Sequence, residues 1–320
     1  MSWLHGKILV GREVGLRDEH LQSIRQAASG AEVVLCDREG VRALWGEAEV
    51  IASMDWGIPA DSIGTPGRLR WIHLFHAGAE KILSPALVAS PVVLTCTKGA
   101  HAVPIAEHAM AFLLAHAKEL PRHQRQQMQR LWDRRPLGEL CGKTLCIVGL
   151  GNIGQEIARL ASCFGMRVVG ARRSGQPVAN VERVVPPDLL PEVLAEADYV
   201  VLSLPYTPAT DGFIGARELA QPKAGAFLVN VCRGRVVNQE ALLAALKEGR
   251  LGGAALDATE PEPLPPDSEL WDLPNVIITP HNSGMSCRVR GRGVGMFCAN
   301  MRRYLQGLPL QQLVDKTAGY

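Results

Sequence analysis

Residues 142–154, GKTLCIVGLGNIG, constrain the fold of this chain more than any other stretch. Residues 145–148 form a short apolar run, as expected of a strand buried on both faces of a parallel sheet. Gly149, Gly151 and Gly154 follow directly in G-x-G-x-x-G spacing. Residues 155–164 then place Ile157, Ala158, Leu160, Ala161 and Phe164 at helical intervals. Strand, glycine turn and helix in this order predict a pyrophosphate cradle. Gly149 permits the tight turn, Gly151 lets the backbone approach the phosphates, and Gly154 lets helix pack on strand. The helix start at Asn152 and Ile153 offers free N–H groups and a positive dipole end to the anion.

A chain of 320 residues has room for about two such domains. Apolar residues make up 47% and charged residues 21%, the balance of an ordinary globular protein. The net charge of +2, with no basic stripe interleaved with aromatics, argues against nucleic acid as a partner. Eight cysteines are scattered without CxxC pairs or Cys/His metal spacing, which points to free thiols in a reducing compartment and to no metal site. The N-terminus lacks the apolar stretch of a signal peptide, and the most apolar helical segment, residues 109–117, is too short to span a bilayer. The expectation is a cytoplasmic protein without a membrane partner.

Taken in order, residues 8–10, 32–35, 50–52, 69–74 and 92–95 read as strands, with a helical pattern over 16–28. They predict a small parallel α/β domain. A long helix is expected from 103 to 119, ended by Pro121. The second α/β unit reads as strands 145–148, 167–170, 199–202, 226–230, 253–256 and 276–278, with helices between them. The segment 286–306 is again helical and is expected to cross back onto the first domain. The boundaries are therefore 1–100 plus 285–320 for a discontinuous domain and 101–284 for a dinucleotide-binding domain, both doubly wound parallel sheets.

In a dinucleotide site the group facing the adenosine ribose lies at the end of the second strand, where a carboxylate favours NAD. Here Arg172, Arg173 and Ser174 occupy that point, a cationic, donor-rich cluster suited to a 2′-phosphate. NADP(H) is the expected cofactor, with NAD(H) as the alternative.

Three later segments carry chemistry. Arg233, in NVCRGRVV, falls just past a strand's carboxyl end, and a buried arginine there would clamp a carboxylate with two parallel hydrogen bonds. Asp257 stands at another strand end, with Glu260 and Glu262 in the proline-rich loop beyond it. His281 follows the last strand in TPHNSG. Arginine, carboxylate and histidine together suit reduction of a 2-oxo acid. The arginine holds the substrate, the histidine gives its proton to the keto oxygen, and the carboxylate orients the imidazole.

The order GLGNIG, NVCRGRVVNQEAL, LDATEPEPLP and TPH resembles the D-isomer-specific 2-hydroxyacid dehydrogenase family over residues 101–284. The resemblance implies two Rossmann-like domains, the first flavodoxin-like and substrate-binding. It implies that Arg233 binds substrate, His281 is the acid/base and Glu262 is its partner. It places Asp257 at the nicotinamide carboxamide, and Leu204, Pro205, Val231 and Cys232 along the cofactor. The backbone of His76, Ala77 and Gly78 would bind the substrate carboxylate, and a homodimer is the default assembly. The implied activity is NAD(P)H-dependent reduction of a small 2-oxo acid, of glyoxylate or hydroxypyruvate type, to the D-2-hydroxy acid. The family also holds formate and phosphite dehydrogenases and nucleotide-sensing corepressors, which stand as alternatives. Glutamate at 262 argues against formate oxidation, where a glutamine is expected. Ala258-Thr259 and Cys232 depart from the common family residues; Cys232 is read as a buried, inert thiol and His108 as structural.

Overall fold

The computed structural model describes residues 5–59, 62–63, 67–76, 78–79 and 81–317. The chain divides into two compact units, Met1–His101 with Ser286–Tyr320, and Ala102–Met285.

The first unit is built on five parallel strands, β1 (Lys7–Gly11), β2 (Val33–Cys36), β3 (Ala48–Ser53), β4 (Trp71–Leu74) and β5 (Val93–Cys96), in the order β2-β1-β3-β4-β5. This is the flavodoxin-like order. Alternate residues of each strand enter opposite cores. Leu9, Ile51, Ile72 and Leu94 face one side, and Ile8, Val10, Val50 and Trp71 the other. Helices α1 (Asp18–Ala27), α2 (Arg38–Ala43) and α3 (Pro85–Ala89) connect the strands. The second face is closed by α1 and by the returning C-terminal helix, whose Val294, Phe297 and Met301 are buried with Ile24 and Ala27 of α1. Trp71 stacks on Phe297 at 5.2 Å between ring centres, and its Nε1–H donates to Thr95 Oγ1 at 2.8 Å. The same hydroxyl meets His73 Nδ1 at 2.8 Å.

The second unit opens with α4 (Ala102–Ala117) and α5 (Leu120–Met128). Pro121 therefore starts a helix where the sequence suggested it would end one. It sits in the first turn of α5, where its missing N–H has no partner to lose. Seven strands follow, all parallel: β6 (Thr144–Val148), β7 (Arg167–Ala171), β8 (Arg183–Val185), β9 (Tyr199–Leu202), β10 (Ala226–Asn230), β11 (Leu251–Leu256) and β12 (Val276–Ile278). Their order is β12-β11-β10-β9-β6-β7-β8, a doubly wound sheet whose order reverses between β6 and β9. Three-residue β8 is an edge strand with only Val185 fully buried, too short to leave a readable pattern. Both faces of the sheet are covered, so Leu145 and Ile147 pack in one core and Cys146 and Val148 in the other. Ala106, Ala109 and Leu113 of α4 share the first of these cores with Ile157, Ala158 and Ala161 of α6 (Asn152–Cys163). The small side chains let the two helices approach closely. The remaining helices are α7 (Leu190–Leu194), α8 (Ala216–Leu219) and α9 (Gln239–Lys247), and α10 (Val289–Leu305) returns the chain to the first unit. Among the described residues, no helix is long and apolar enough to cross a membrane, and no three His, Cys, Asp or Glu side chains gather as a metal site.

Candidate active site

The turn after β6 is shaped by contacts that two of its glycines alone permit. Gly149 has φ +103°, and a Cβ on it would come within 2.8 Å of the Ser203 backbone. A Cβ on Gly154 would stand 2.1 Å from the Gly149 carbonyl oxygen. Gly151 is different. No atom lies within 4 Å of the position its Cβ would take, so nothing in the protein requires glycine there, whereas a ligand lying against the backbone would. Gly151 is the N-cap of α6, and no side chain caps that helix end. The first N–H groups of α6, at Asn152 and Ile153, are thus available to an anion at the point where the strand order reverses. These residues fit a dinucleotide pyrophosphate.

Neighbouring strand ends are tied to this turn. Gly149 N–H donates to Ala171 O at 3.0 Å, bringing the exit of β7 alongside, with half-buried Arg172 and exposed Arg173 and Ser174 directly after it. From β9, Ser203 donates its N–H to Val148 O (2.9 Å) and its hydroxyl to Gly149 O (2.6 Å), which places Leu204 and Pro205 next to the turn. Val231 N–H reaches Leu202 O at 3.3 Å. Burial pushes the Cys232 thiol up to about 11, more than the surrounding N–H groups and Arg233 offset, so it stays protonated.

The exits of β10, β11 and β12 are braced by two buried polar side chains. Asn230 Nδ2 donates to Arg233 O (3.1 Å) and to Ala258 O (3.4 Å), while its Oδ1 accepts the Cys232 N–H at 3.0 Å. Gly234 lets this turn press on its neighbour: a Cβ there would be 1.9 Å from Thr259 O. Arg233 is exposed, and its Nη1 donates to the carbonyl of Cys232 at 2.8 Å. The buried arginine expected from the sequence is therefore corrected. A side chain just past a strand end leaves the covered faces of the sheet and reaches solvent at its carboxyl edge.

Asp257, 2% exposed, has its carboxylate turned onto the segment after β12. Its Oδ1 accepts from Thr279 Oγ1 (2.5 Å) and Asn282 N (3.0 Å), and its Oδ2 from Ser283 N (3.0 Å). Burial opposes ionisation of Asp257, but the bonds from Ser283, Thr279 and Asn282 outweigh it and hold the carboxyl below the usual range. Between Thr279 and Asn282 stands His281, at φ +50°. Its Nδ1 lies 2.6 Å from Glu262 Oε1. Glu260 is exposed, and its own N–H donates to Gln239 Oε1 at 3.1 Å, so Glu262 is the loop carboxylate at the imidazole.

The segment matching LDATEPEPLP and TPH is therefore one hydrogen-bonded assembly at the carboxyl edge of a dinucleotide-type sheet. Residues 110–283 match the family described as D-isomer specific 2-hydroxyacid dehydrogenase, NAD binding domain. The chain belongs to this family. It is 35% identical to a glyoxylate reductase of Korarchaeum cryptofilum over 269 residues, which cover 81% of this chain and 80% of that one. A solved D-isomer specific 2-hydroxyacid dehydrogenase family protein from Aeromonas salmonicida superposes with a TM-score of 0.84 at 33% identity, covering 98% of this chain and all of that one. An NADPH-dependent glyoxylate/hydroxypyruvate reductase from Sinorhizobium meliloti, solved with NADP and sulfate, gives 0.79 at 28% identity, covering 98% and 100%.

As a member of this family the protein is an NAD(P)-dependent oxidoreductase acting on 2-hydroxy acids. The partners of three of its organising residues escape a reading of the sequence, although His108 is read there as structural. Asn230 closes the apolar run AFLVN, and a polar residue ending a buried strand is the only local signal it leaves. Thr279 looks like an ordinary residue before a proline. His108 lies on α4, 171 residues from the Thr279 hydroxyl it meets at 3.2 Å.

In the first unit, His76 follows β4, and its Nε2 accepts the Asp55 N–H at 3.1 Å, 3.4 Å from Asp55 Oδ1. The imidazole is turned back onto Asp55 within its own unit. Gly78 follows close behind; Ala77 lies outside the described residues.

Proposed function

We propose that the protein reduces a small 2-oxo acid, of glyoxylate or hydroxypyruvate type, to the D-2-hydroxy acid with NADPH as the preferred cofactor. The observation that carries this reading is the 2.6 Å contact between His281 Nδ1 and Glu262 Oε1, on the same edge of the sheet as the glycine turn. A carboxylate only accepts, so Nδ1 holds a hydrogen and Nε2 is left to give or take the proton in the reaction. When bound, the reduced nicotinamide supplies the hydride. His281 gives its proton to the keto oxygen, and Glu262 balances the charge of the imidazolium before that transfer. Arg233 offers a planar pair of donors to the substrate's carboxylate and keto oxygen. The resemblance adds the backbone at residues 76–78 as a further carboxylate contact.

Gly149, Gly151, Asn152, Ile153 and Gly154 are assigned to the pyrophosphate, Arg172, Arg173 and Ser174 to the 2′-phosphate, and Leu204, Pro205, Val231 and Cys232 to the rest of the dinucleotide. Asp257 is assigned to the nicotinamide carboxamide as well as to its own loop. Residues 128–132 carry Met128, Leu131 and Trp132 at 81%, 54% and 90% exposure, which supports a homodimer that covers them. The eight cysteines, with no disulfide among them, suit the cytoplasm.

The test follows nicotinamide absorbance with NADPH and NADH in parallel against glyoxylate, hydroxypyruvate, pyruvate and phenylpyruvate. Faster consumption of NADPH supports the reading. Activity with NADH alone removes the 2′-phosphate assignment. Silence with both cofactors turns attention to formate, phosphite or a protein partner.

A further inference from the structure

The hydrogen bonds behind His281 have a fixed direction, set by the one group among them that can only accept. Ionised Asp257 accepts a hydrogen bond from the Thr279 hydroxyl at 2.5 Å, so Thr279 Oγ1 has only lone pairs left for a second partner. That partner is His108 Nε2, at 3.2 Å, which must therefore carry a hydrogen and donate it. The same nitrogen is 3.9 Å from Asp257 Oδ1. His108 is held in turn by α4, where its ring stands edge-on to Phe112 one turn away, at 4.5 Å between centres and 86°. The chain thus runs from α4 through His108 and Thr279 to Asp257, and from Asp257 to the N–H groups of Asn282 and Ser283.

His281 has its backbone bracketed by these hydrogen bonds. Its backbone lies in the left-handed region, at φ +50°, which a residue with a Cβ adopts only where its surroundings hold it. Thr279 restrains the chain before it and the Asn282 and Ser283 N–H groups restrain the chain after it. Glu262 fixes the imidazole from the side.

We propose that His108 is a positioning residue for His281, acting through the Thr279 hydroxyl and Asp257 on the backbone that carries the imidazole. The proposal rests on the reading of His281 as the acid/base. His108 itself touches neither reacting atom, and removing its donor loosens the Thr279 rotamer and with it the grip of Asp257 on the loop.

The test uses the full chain with His108→Phe, which keeps the ring packing, His108→Gln, which restores an N–H donor, Thr279→Val, and His108→Phe combined with His281→Ala. His108→Phe should lower kcat about tenfold with the Kd for NADPH and the Tm nearly unchanged, because small misplacements of a reacting group are costly. His108→Gln should recover most of that loss. Thr279→Val, which also removes the donor to Asp257, should lose at least as much as His108→Phe, and the two together should lose no more than Thr279→Val alone. In the His281→Ala background, His108→Phe should cost nothing further. The Nδ1 proton resonance of the His281–Glu262 hydrogen bond gives a readout independent of turnover, and it should broaden or shift upfield in His108→Phe. Unchanged kcat in His108→Phe, failure of His108→Gln to rescue, multiplying losses, or an unmoved resonance would each overturn the proposal. If His281→Ala itself keeps its turnover, the acid/base reading fails, and the resonance alone still decides the positioning role.

Discussion

Glu262 Oε1 and His281 Nδ1 are 2.6 Å apart, and both side chains are partly open to solvent, at 41% and 37%. The pair is accessible from outside the sheet, as the proposed proton transfer requires, yet its orientation is fixed. Because Nδ1 faces the carboxylate, the opposite ring nitrogen is the one presented outward.

Glu262→Gln should therefore lower kcat more than it raises KM. An amide can still accept the Nδ1–H but carries no charge to balance the imidazolium. A loss of about 10- to 100-fold is expected, smaller than the roughly 100- to 10,000-fold that removal of a general acid–base causes. Steady-state kinetics at saturating NADPH decide it. An unchanged kcat would remove Glu262 from the mechanism.

Two glycines of the cradle should separate folding from binding. Gly154→Ala forces a Cβ onto the Gly149 carbonyl and should lower the Tm clearly. Gly151→Ala meets no protein atom and should leave the Tm within about 1–2 °C, a surface-level effect, while weakening NADPH binding about tenfold or more. Thermal melts with and without cofactor test both. Equal Tm losses in the two variants would contradict the assignment of Gly151 to the ligand.

Cofactor choice should reside in the residues after β7. The double variant Arg172→Ala, Arg173→Ala should raise the KM for NADPH about tenfold or more, as expected for loss of charge-assisted contacts, and leave that for NADH little changed. Parallel losses with both cofactors would mean that these arginines act structurally.

His73 should make the first unit sensitive to acid. Burial foremost, and then the nearby His76, push its imidazole down to about 3 from an ordinary 6.5. Above pH 6.5 it is neutral folded and unfolded, and its contribution is fully present. As pH falls from 6.5 toward 3 the unfolded chain binds a proton that the folded chain refuses, and stability drops by up to about 1.4 kcal/mol per pH unit. His73→Phe, although weaker at neutral pH for want of the Thr95 bond, should lose stability more slowly over this range. Denaturant midpoints from pH 7 to 4 compare the two. Parallel slopes would sink the assignment.

What was legible in the sequence follows from how locally each feature is specified. The glycine turn declares itself because spacing, strand and helix lie within some twenty residues, and the alternation of Leu145, Cys146, Ile147 and Val148 between two cores leaves an unbroken apolar run. His281 and Glu262 stand out through their motifs, but the choice between Glu260 and Glu262 needed either the family resemblance or the geometry. Other features depend on tertiary context. Pro121 is as compatible with a helix start as with a helix end, and only the chain path decides between them. The exposure of Arg233 depends on how its turn leaves the sheet, and the partnership of His108 with Thr279 joins residues that no local window contains.

If His281 is the proposed acid/base, hydride reduction depends on proton transfer at its imidazole. The most direct measurement compares NADPH consumption by the wild type and His281→Ala, with glyoxylate and hydroxypyruvate as substrates and NADPH binding followed separately. His281→Ala should lose at least about 100-fold in kcat with the Kd for NADPH preserved. A variant that binds NADPH and still turns over at close to the wild-type rate would contradict it.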